Sequence, residues 1–202
     1  MSKDVLGVTV HDAQGVVADL LQKLGGQDGQ EWLTATKRFL RKENPWPFPH
    51  VSNYSVMVDY KKPVSEYLED ANYDSVNSNI VDENFPIKPI CCTEYCECYH
   101  KPAELQLLHF GRQVTIEEVK NELDKQALLP ANIWELLAFG IAYPDPQRKF
   151  QIVALGSSWT RSDGARYVPE LSSDERNPRR AHLCHLGRSG FGSDCHFLAI
   201  RK

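Results

Sequence analysis

Residues 128–171 read LLPANIWELLAFGIAYPDPQRKFQIVALGSSWTRSDGARYVPEL, and they place an apolar helix among strand-like segments. The Asn132 side chain can accept from the Glu135 amide while the Glu135 carboxylate reaches back to the Asn132 amide, which is the capping-box pattern that starts a helix. QIVALGS, residues 151–157, is typical of a buried strand, and residues 165–171 have a second strand pattern. Helices set among strands in this way predict an α+β fold.

The sequence on either side of this stretch repeats the same mixture. Strand patterns occur at residues 54–60, at ELQLLHF, residues 104–110, and at residues 197–201. A short helix is predicted over residues 64–71, following a proline, and a second capping box opens a helix over residues 115–126. These elements extend the α+β prediction over most of the chain.

The first fifty residues have a different pattern. Apolar residues recur at helical spacing over residues 11–24, and a second helix is predicted over residues 28–42. NPWPFPH, residues 44–50, has three prolines at alternate positions, which cannot continue a helix and favour a stiff extended linker. We therefore expect a helical appendage at residues 1–43, this linker, and an α+β domain at residues 51–202.

Composition narrows the function classes. The 202 residues have a formal net charge of −4, with 42% hydrophobic and 25% charged residues, which is ordinary for a globular protein. This slightly negative net charge does not favour nucleic acid or an acidic membrane as a binding partner. The start, MSKDVLGVTVHDAQG, lacks the apolar run of a secretory signal, and no window approaches the roughly 18 apolar residues of a membrane span. We expect a cytoplasmic protein with no membrane span.

A first group of possible metal ligands lies in ICCTEYCECYH, residues 90–100. Four thiols and one imidazole could bind zinc, since thiolates are soft ligands and a tetrahedral site needs four donors. Structural zinc sites usually pair two Cys knuckles across a gap of about a dozen or more residues, however, and this spacing differs. A loop with incidental thiols is the alternative. The candidate ligands are Cys91, Cys92, Cys96, Cys98 and His100.

Two Cys-His pairs form a second group, Cys184-His185 and Cys195-His196. One Cys and one His from each pair could complete a zinc tetrahedron, or one pair could supply a thiolate nucleophile. A nucleophile also needs a fixed base and an oxyanion site, and no nearby motif indicates either. Incidental loop residues are the favoured interpretation.

The composition of residues 177–197, NPRRAHLCHLGRSGFGSDCHF, is unusual. The stretch holds three of the seven His and two of the six Cys, but no Lys, Glu, Gln, Met or Trp. These five are the residue types that no codon ending in a pyrimidine encodes. Randomising the first two bases of an Asn codon yields only the types that remain, with Leu183 and Leu186 as framework. A loop of chance composition is the alternative.

A resemblance gives this stretch a context. Residues 128–171, the variable stretch and the closing FLAIRK resemble a family of bacterial proteins of unassigned role, typical of small-genome uncultivated lineages. The resemblance covers roughly residues 54–202. In form, the C-terminal half is similar to the variable proteins of diversity-generating retroelements. Those proteins place adenine-templated hypervariable codons just before the last strand of a C-type-lectin-like fold, of the formylglycine-generating-enzyme type.

The resemblance implies a solvent-exposed surface that binds a protein or glycan ligand without catalysis or a cofactor. The ligand-binding positions it implies are Arg179, Arg180, His182, Cys184, His185, Arg188, Ser189, Phe191, Ser193, Asp194 and His196. The alternative from a different class is a zinc-binding protein, or a metal-assisted hydrolase, that uses the Cys and His residues of 91–100 and 184–196.

Overall fold

The computed structural model of the chain describes residues 10–41, 49–87, 100–176, 178–187 and 190–201. The chain divides into two compact units, Met1–Pro47 and Phe48–Lys202. Among the helices in these described ranges, none combines the length and apolar character that a membrane crossing requires.

The first unit contains two helices, α1 (Val10–Leu24) and α2 (Gly29–Leu40). Both predicted helices are present, and α2 ends two residues before the predicted end. Most of the predicted linker falls outside the described residues. His50, the last residue of the predicted linker, belongs instead to the sheet of the second unit, where it pairs with His109.

The second unit is an α+β domain, as the sequence predicts. Its helices are α3 (Val64–Ala71), α4 (Ile116–Lys125), α5 (Ile133–Ala142) and α6 (Pro144–Lys149). Its strands are β1 (His50–Asp59), β2 (Ser75–Val76), β3 (His100–His109), β4 (Leu128–Pro130), β5 (Gln151–Val153), β6 (Trp159–Thr160), β7 (Arg166–Ser172), β8 (Arg180–His185) and β9 (Cys195–Arg201). They form one mixed sheet in the order β1-β3-β9-β5-β7-β8-β2, with β4 paired to β9 and β6 to β7.

Both faces of the central part of this sheet are covered. Because side chains alternate along a strand, Leu198 points to the face covered by α3 and α5, while Phe197 points to the face covered by α4. We call these the α5 face and the α4 face. Covering on both sides explains why strands such as β5 contain consecutive apolar residues rather than an alternating pattern.

Both predicted capping boxes are confirmed. The Thr115 hydroxyl accepts from the Glu118 amide and the Glu118 carboxylate accepts from the Thr115 amide, so α4 begins where the sequence predicts. Asn132 and Glu135 do the same for α5. Caps of this kind contribute about 1 kcal/mol each.

The strand predicted over residues 151–157 is shorter, ending at Val153. Beyond it, the Gly156 amide donates to the Ala131 carbonyl oxygen at 2.8 Å, so the chain has left the sheet to pack against the segment before α5. A Cβ at Gly156 would lie 2.6 Å from that same oxygen. Glycine is required there because the two backbones approach so closely.

Candidate functional site

The stretch 177–197 is built around a strand that sequence analysis missed. Residues 180–185 form β8, paired antiparallel with β7, so the interpretation of Cys184 and His185 as incidental loop residues is wrong. The last strand also begins at Cys195, two residues before the predicted start. Since β7 is antiparallel to β5 and to β8, and β5 is parallel to β9, the strands β8 and β9 begin at the same edge of the sheet.

We call this edge the strand-start edge, and it collects five of the predicted ligand-binding residues. They are Arg180 and His182 at the start of β8, Ser193 and Asp194 in the turn before β9, and His196 at the start of β9. Ser193 and Asp194 are exposed and the other three are half-buried. The topology therefore brings these five residues to one edge of the sheet.

Arg179, predicted to bind ligand, is instead a structural residue. Its guanidinium donates to the Ala71 carbonyl oxygen at 2.5 Å and to the Gly140 carbonyl oxygen at 2.8 Å, and it lies 5.0 Å from the ring centre of Tyr73. Ala71 and Gly140 belong to the last turns of α3 and α5, where a positive charge complements the negative end of the helix dipole. Arg179 thus joins β8 to two helices.

Two further predicted ligand-binding residues lie in the core. Cys184 is 9% exposed and points to the α4 face, and Phe191 is 5% exposed. The Phe191 ring packs edge-on against Phe197 at 5.0 Å, and its backbone exchanges two hydrogen bonds with Val114. Neither side chain presents a surface to a ligand, so both predictions need correction. Burial on the α4 face is the physical reason.

Of the three remaining members of the predicted set, the structure describes only His185, which lies away from the strand-start edge. His185 lies at the far end of β8, where its ring is 5.1 Å from that of Tyr167. Arg188 and Ser189 lie outside the described residues. The two framework positions, Leu183 and Leu186, pack against the core from opposite faces of the sheet, as expected of framework.

A buried thiol, that of Cys195, lies on the α4 face at the start of β9. Cys195 is 4% exposed, and its thiol donates to the Gln151 Oε1 at 3.1 Å. The Gln151 amide nitrogen in turn donates to the Glu170 carboxylate. Burial, reinforced by the negative charge of Asp194, raises the pKa of the Cys195 thiol to about 11. A protonated, enclosed thiol is a poor nucleophile, which argues against the covalent-catalysis interpretation.

The series of polar side chains that includes Gln151 and Glu170 continues from β7 to the start of β8. Glu170 is the cross-strand neighbour of His182, whose Nε2 lies 3.0 Å from an Arg180 guanidinium nitrogen. Arg180 also donates to the Asp174 carboxylate at 2.7 Å. Because arginine can only donate, His182 accepts at Nε2 and carries its proton on Nδ1. Burial, and then the charge of Arg180, lowers the pKa of His182 and keeps this neutral form.

On the α5 face, the strand-start edge holds a row of stacked rings that we call the ring ladder. Its members are Phe150, His196, His109 and His50. Register pairs His50 with His109 and His109 with His196, so three imidazoles align across β1, β3 and β9. The His109 and His196 ring centres are 4.2 Å apart with their planes 5° from parallel, and Phe150 stacks on His196 at 4.1 Å.

The ring ladder fixes the turn that precedes β9. The His109 Nε2 lies 2.8 Å from the Ser193 carbonyl oxygen, and the His196 Nδ1 lies 3.0 Å from that of Asp194. Since a carbonyl only accepts, both ring nitrogens carry protons. Burial lowers the pKa of His196, and the neighbouring His109 adds to this effect against the opposing Asp194 hydrogen bond. Sequence analysis missed His50, His109 and Phe150 because only strand register brings them to His196.

Within the described ranges, no group of three or more His, Cys, Asp or Glu side chains could hold a metal ion. Cys184 and Cys195 are separated by β5 and β7, so the two Cys-His pairs do not meet in a tetrahedron. Of the other candidate ligands, Cys91, Cys92, Cys96 and Cys98 lie outside the described residues. His100 begins β3 and is exposed, with its Nδ1 4.0 Å from an Asp59 carboxylate oxygen.

A cleft of about 380 Å³ lies beside the start of α5, away from the strand-start edge. Tyr60 and Trp134 line it, and Glu135 lies close by, 4% exposed. The Glu135 carboxylate accepts from the Tyr60 hydroxyl at 2.6 Å and from the Asn132 amide at 2.7 Å. Burial raises the pKa of Glu135 although both hydrogen bonds oppose it. This carboxylate is committed to the helix cap and to Tyr60.

No protein-family model, no curated protein and no solved structure matches this chain.

Proposed function

We propose that this chain is a non-enzymatic binding protein that recognises a protein or glycan ligand through the strand-start edge. The observation that carries the proposal is the division of residues 177–197 into two sets. Arg179, Cys184 and Phe191 hold the scaffold, whereas the accessible polar residues gather where β8 and β9 begin. The C-type-lectin-like scaffold and codon-level diversification of the accessible positions belong to the same proposal.

The mechanism is complementarity on a surface that is already ordered. The ring of His196 is held between Phe150 and His109, and Arg180 is held by its ion pair with Asp174. Side chains fixed in this way lose little conformational entropy when a ligand binds. Rigid antibody paratopes have the same advantage over flexible ones, because they lose less conformational entropy on binding.

The chemistry of the edge suits a ligand with several polar groups. Arg180 supplies a guanidinium, Asp194 supplies a carboxylate, and Ser193 supplies a hydroxyl. Two strands lie between β9 and β8, which separates these groups by about 14 Å at the usual strand spacing. A ligand that contacts both ends is therefore larger than a single sugar ring, and a protein surface or an oligosaccharide meets this requirement.

The test uses a glycan array and an arrayed panel of folded proteins as probes for the full chain. An edge variant, Arg180→Ala combined with Asp194→Ala, is compared with a control, His185→Ala, at the far end of β8. We expect ligands of the wild type to bind the control equally and the edge variant at least about tenfold more weakly, or 1.4 kcal/mol. A ligand that binds the edge variant unchanged, or that only the control loses, contradicts the proposal.

A further inference from the structure

The helical unit at the start of the chain exposes an unusual amount of apolar surface. On α1, Val16 is 70% and Leu21 64% exposed; on α2, Phe39 is 67% and Leu40 74% exposed. Single exposed apolar residues are ordinary on a protein surface, but several on two short helices form a patch of the kind that marks an interaction site. Within the described part of this unit, Ala35 is the buried hydrophobic residue.

This patch contains a shallow groove between the two helices. Its volume is about 240 Å³, and Val16, Leu20, Trp32, Ala35 and Phe39 provide its apolar lining. The apolar lining residues are four apart on α1 and three and four apart on α2, so they form ridges with a groove between them. Such a surface accepts the side-chain ridge of another helix.

The two helices need this packing. They are 15 and 12 residues long, and isolated helices of about 12–15 residues are marginal in water. Tertiary packing of an amphipathic face supplies most of the stability of helices in proteins. Among the described residues of this unit one alanine is buried, which provides little of this packing, and we infer that a further surface covers the patch.

We propose that the occupant is the same helix pair of a second copy of this chain, giving a dimeric four-helix bundle. The charge distribution favours this occupant. Asp19 lies at the rim of the groove, 60% exposed on its side chain and paired with Lys23 of the same helix at 2.8 Å, while the last turn of α2 is basic, with Lys37 and Arg38. A two-fold axis parallel to the helices sets α1 antiparallel to α2 of the partner, which brings acidic Asp19 toward basic Arg38.

The exposed area is also of the right size. The exposed apolar side chains of α1 and α2 amount to on the order of 600 Å² per copy, near the roughly 800 Å² that each partner contributes to a standard interface. A bundle of four such helices buries apolar stripes on all sides of one core. The dimer would carry two strand-start edges and could bind a multivalent ligand with higher avidity, a consequence that rests on the proposed function.

Sedimentation equilibrium of the full chain, from low to high micromolar concentration, tests the proposal. We expect a mass of twice 23.0 kDa for the wild type and a monomer for Leu21→Glu combined with Phe39→Glu. The control is Met57→Glu, which places one new negative charge on an apolar residue of β1 that is 53% exposed. It should remain a dimer. A monomeric wild type, or a dimer that persists in the Leu21 and Phe39 variant, overturns the proposal.

A second measurement covers the case in which that variant loses its helices. In a mixture of isotope-labelled and unlabelled wild-type chains, filtered NOEs should connect Val16 methyl groups of one copy with the Phe39 ring of the other. Contacts between copies that involve only the sheet, or contacts of the patch with the second unit of the same chain, contradict it. Ligand binding by the strand-start edge is measured separately, so failure of one proposal leaves the other standing.

Discussion

Replacing Arg179 with methionine separates a scaffold role from a ligand-binding role at this position. Its guanidinium makes two hydrogen bonds to carbonyl oxygens in the last turns of α3 and α5. Hydrogen bonds with a charged donor contribute about 1.5–3 kcal/mol each, which gives about 3–6 kcal/mol for the pair. The substitution also removes the Arg179 Nε, a buried donor without a partner in the described structure, which offsets about 1–2 kcal/mol.

The net loss in the free energy of unfolding is therefore about 2–4 kcal/mol. Urea unfolding followed by tryptophan fluorescence measures it, and a slope of about 2 kcal/mol/M converts the loss into a midpoint lower by about 1–2 M. Arg179→Lys keeps the charge but not the planar fork, so it should recover only part of the loss. The neighbouring Arg180→Met is the control, since its ion pair with Asp174 is partly exposed and is worth at most about 1 kcal/mol. A midpoint for Arg179→Met equal to that of the control would refute the scaffold role.

Three further predictions follow from the burial of the C-terminal residues. Phe191→Ala should lower the free energy of unfolding by about 3–5 kcal/mol because it leaves a cavity against Phe197. The control Ser193→Ala, at an exposed side chain, should change it by less than about 0.5 kcal/mol. Equal urea midpoints for the two variants would contradict the packing of Phe191 against Phe197. The pKa values of His182 and His196 are lower in the folded chain than in the unfolded chain, so the unfolded chain binds protons more readily. The contribution of the two neutral imidazoles to the free energy of unfolding is complete above pH 6.5 and is lost as the pH falls from there toward the folded-state pKa values. Replacing both with Gln should flatten the decline in urea midpoint over this pH window, and an unchanged slope would show that these imidazoles are not responsible. The Cys195 thiol should react with iodoacetamide at pH 8 at least about a hundredfold more slowly in the folded than in the unfolded chain, because burial and a raised pKa suppress its thiolate. Peptide mass spectrometry measures the two alkylation rates. Similar rates in both states would contradict the burial of this thiol.

The parts of the fold that sequence reasoning predicted are those that local chemistry determines. The capping boxes at Thr115 and Asn132 need only residues three positions apart, so both helix starts were predictable. The strand β8 was not, because its polar-apolar alternation covers only four residues, RAHL, and the Gly- and Ser-containing sequence that follows favours a loop. Its place in the sheet depends on pairing with β7, which no local pattern shows.

The candidate site divides in the same way. Composition marked the segment that contains His196, but it could not tell inward from outward positions, so buried Cys184 was grouped with exposed Asp194. The ring ladder depends on the register of β1, β3 and β9, whose residues are far apart in sequence. Histidines such as His50 and His109 have no periodic signal of their own. Their grouping follows from the three-dimensional pairing alone.

The burial pattern also restricts any diversification of residues 177–197. If every position implied by the resemblance varied, Cys184 and Phe191 would be randomised inside the core, and most products would lose several kcal/mol of stability. Selection for folding should therefore confine variation to the strand-start edge. Sequencing this gene across a population should find substitutions at Arg180, His182, Ser193, Asp194 and His196, with residues 179, 184 and 191 nearly constant. Uniform variation across the stretch would contradict the division between scaffold and surface, and no variation at the edge would contradict diversification itself.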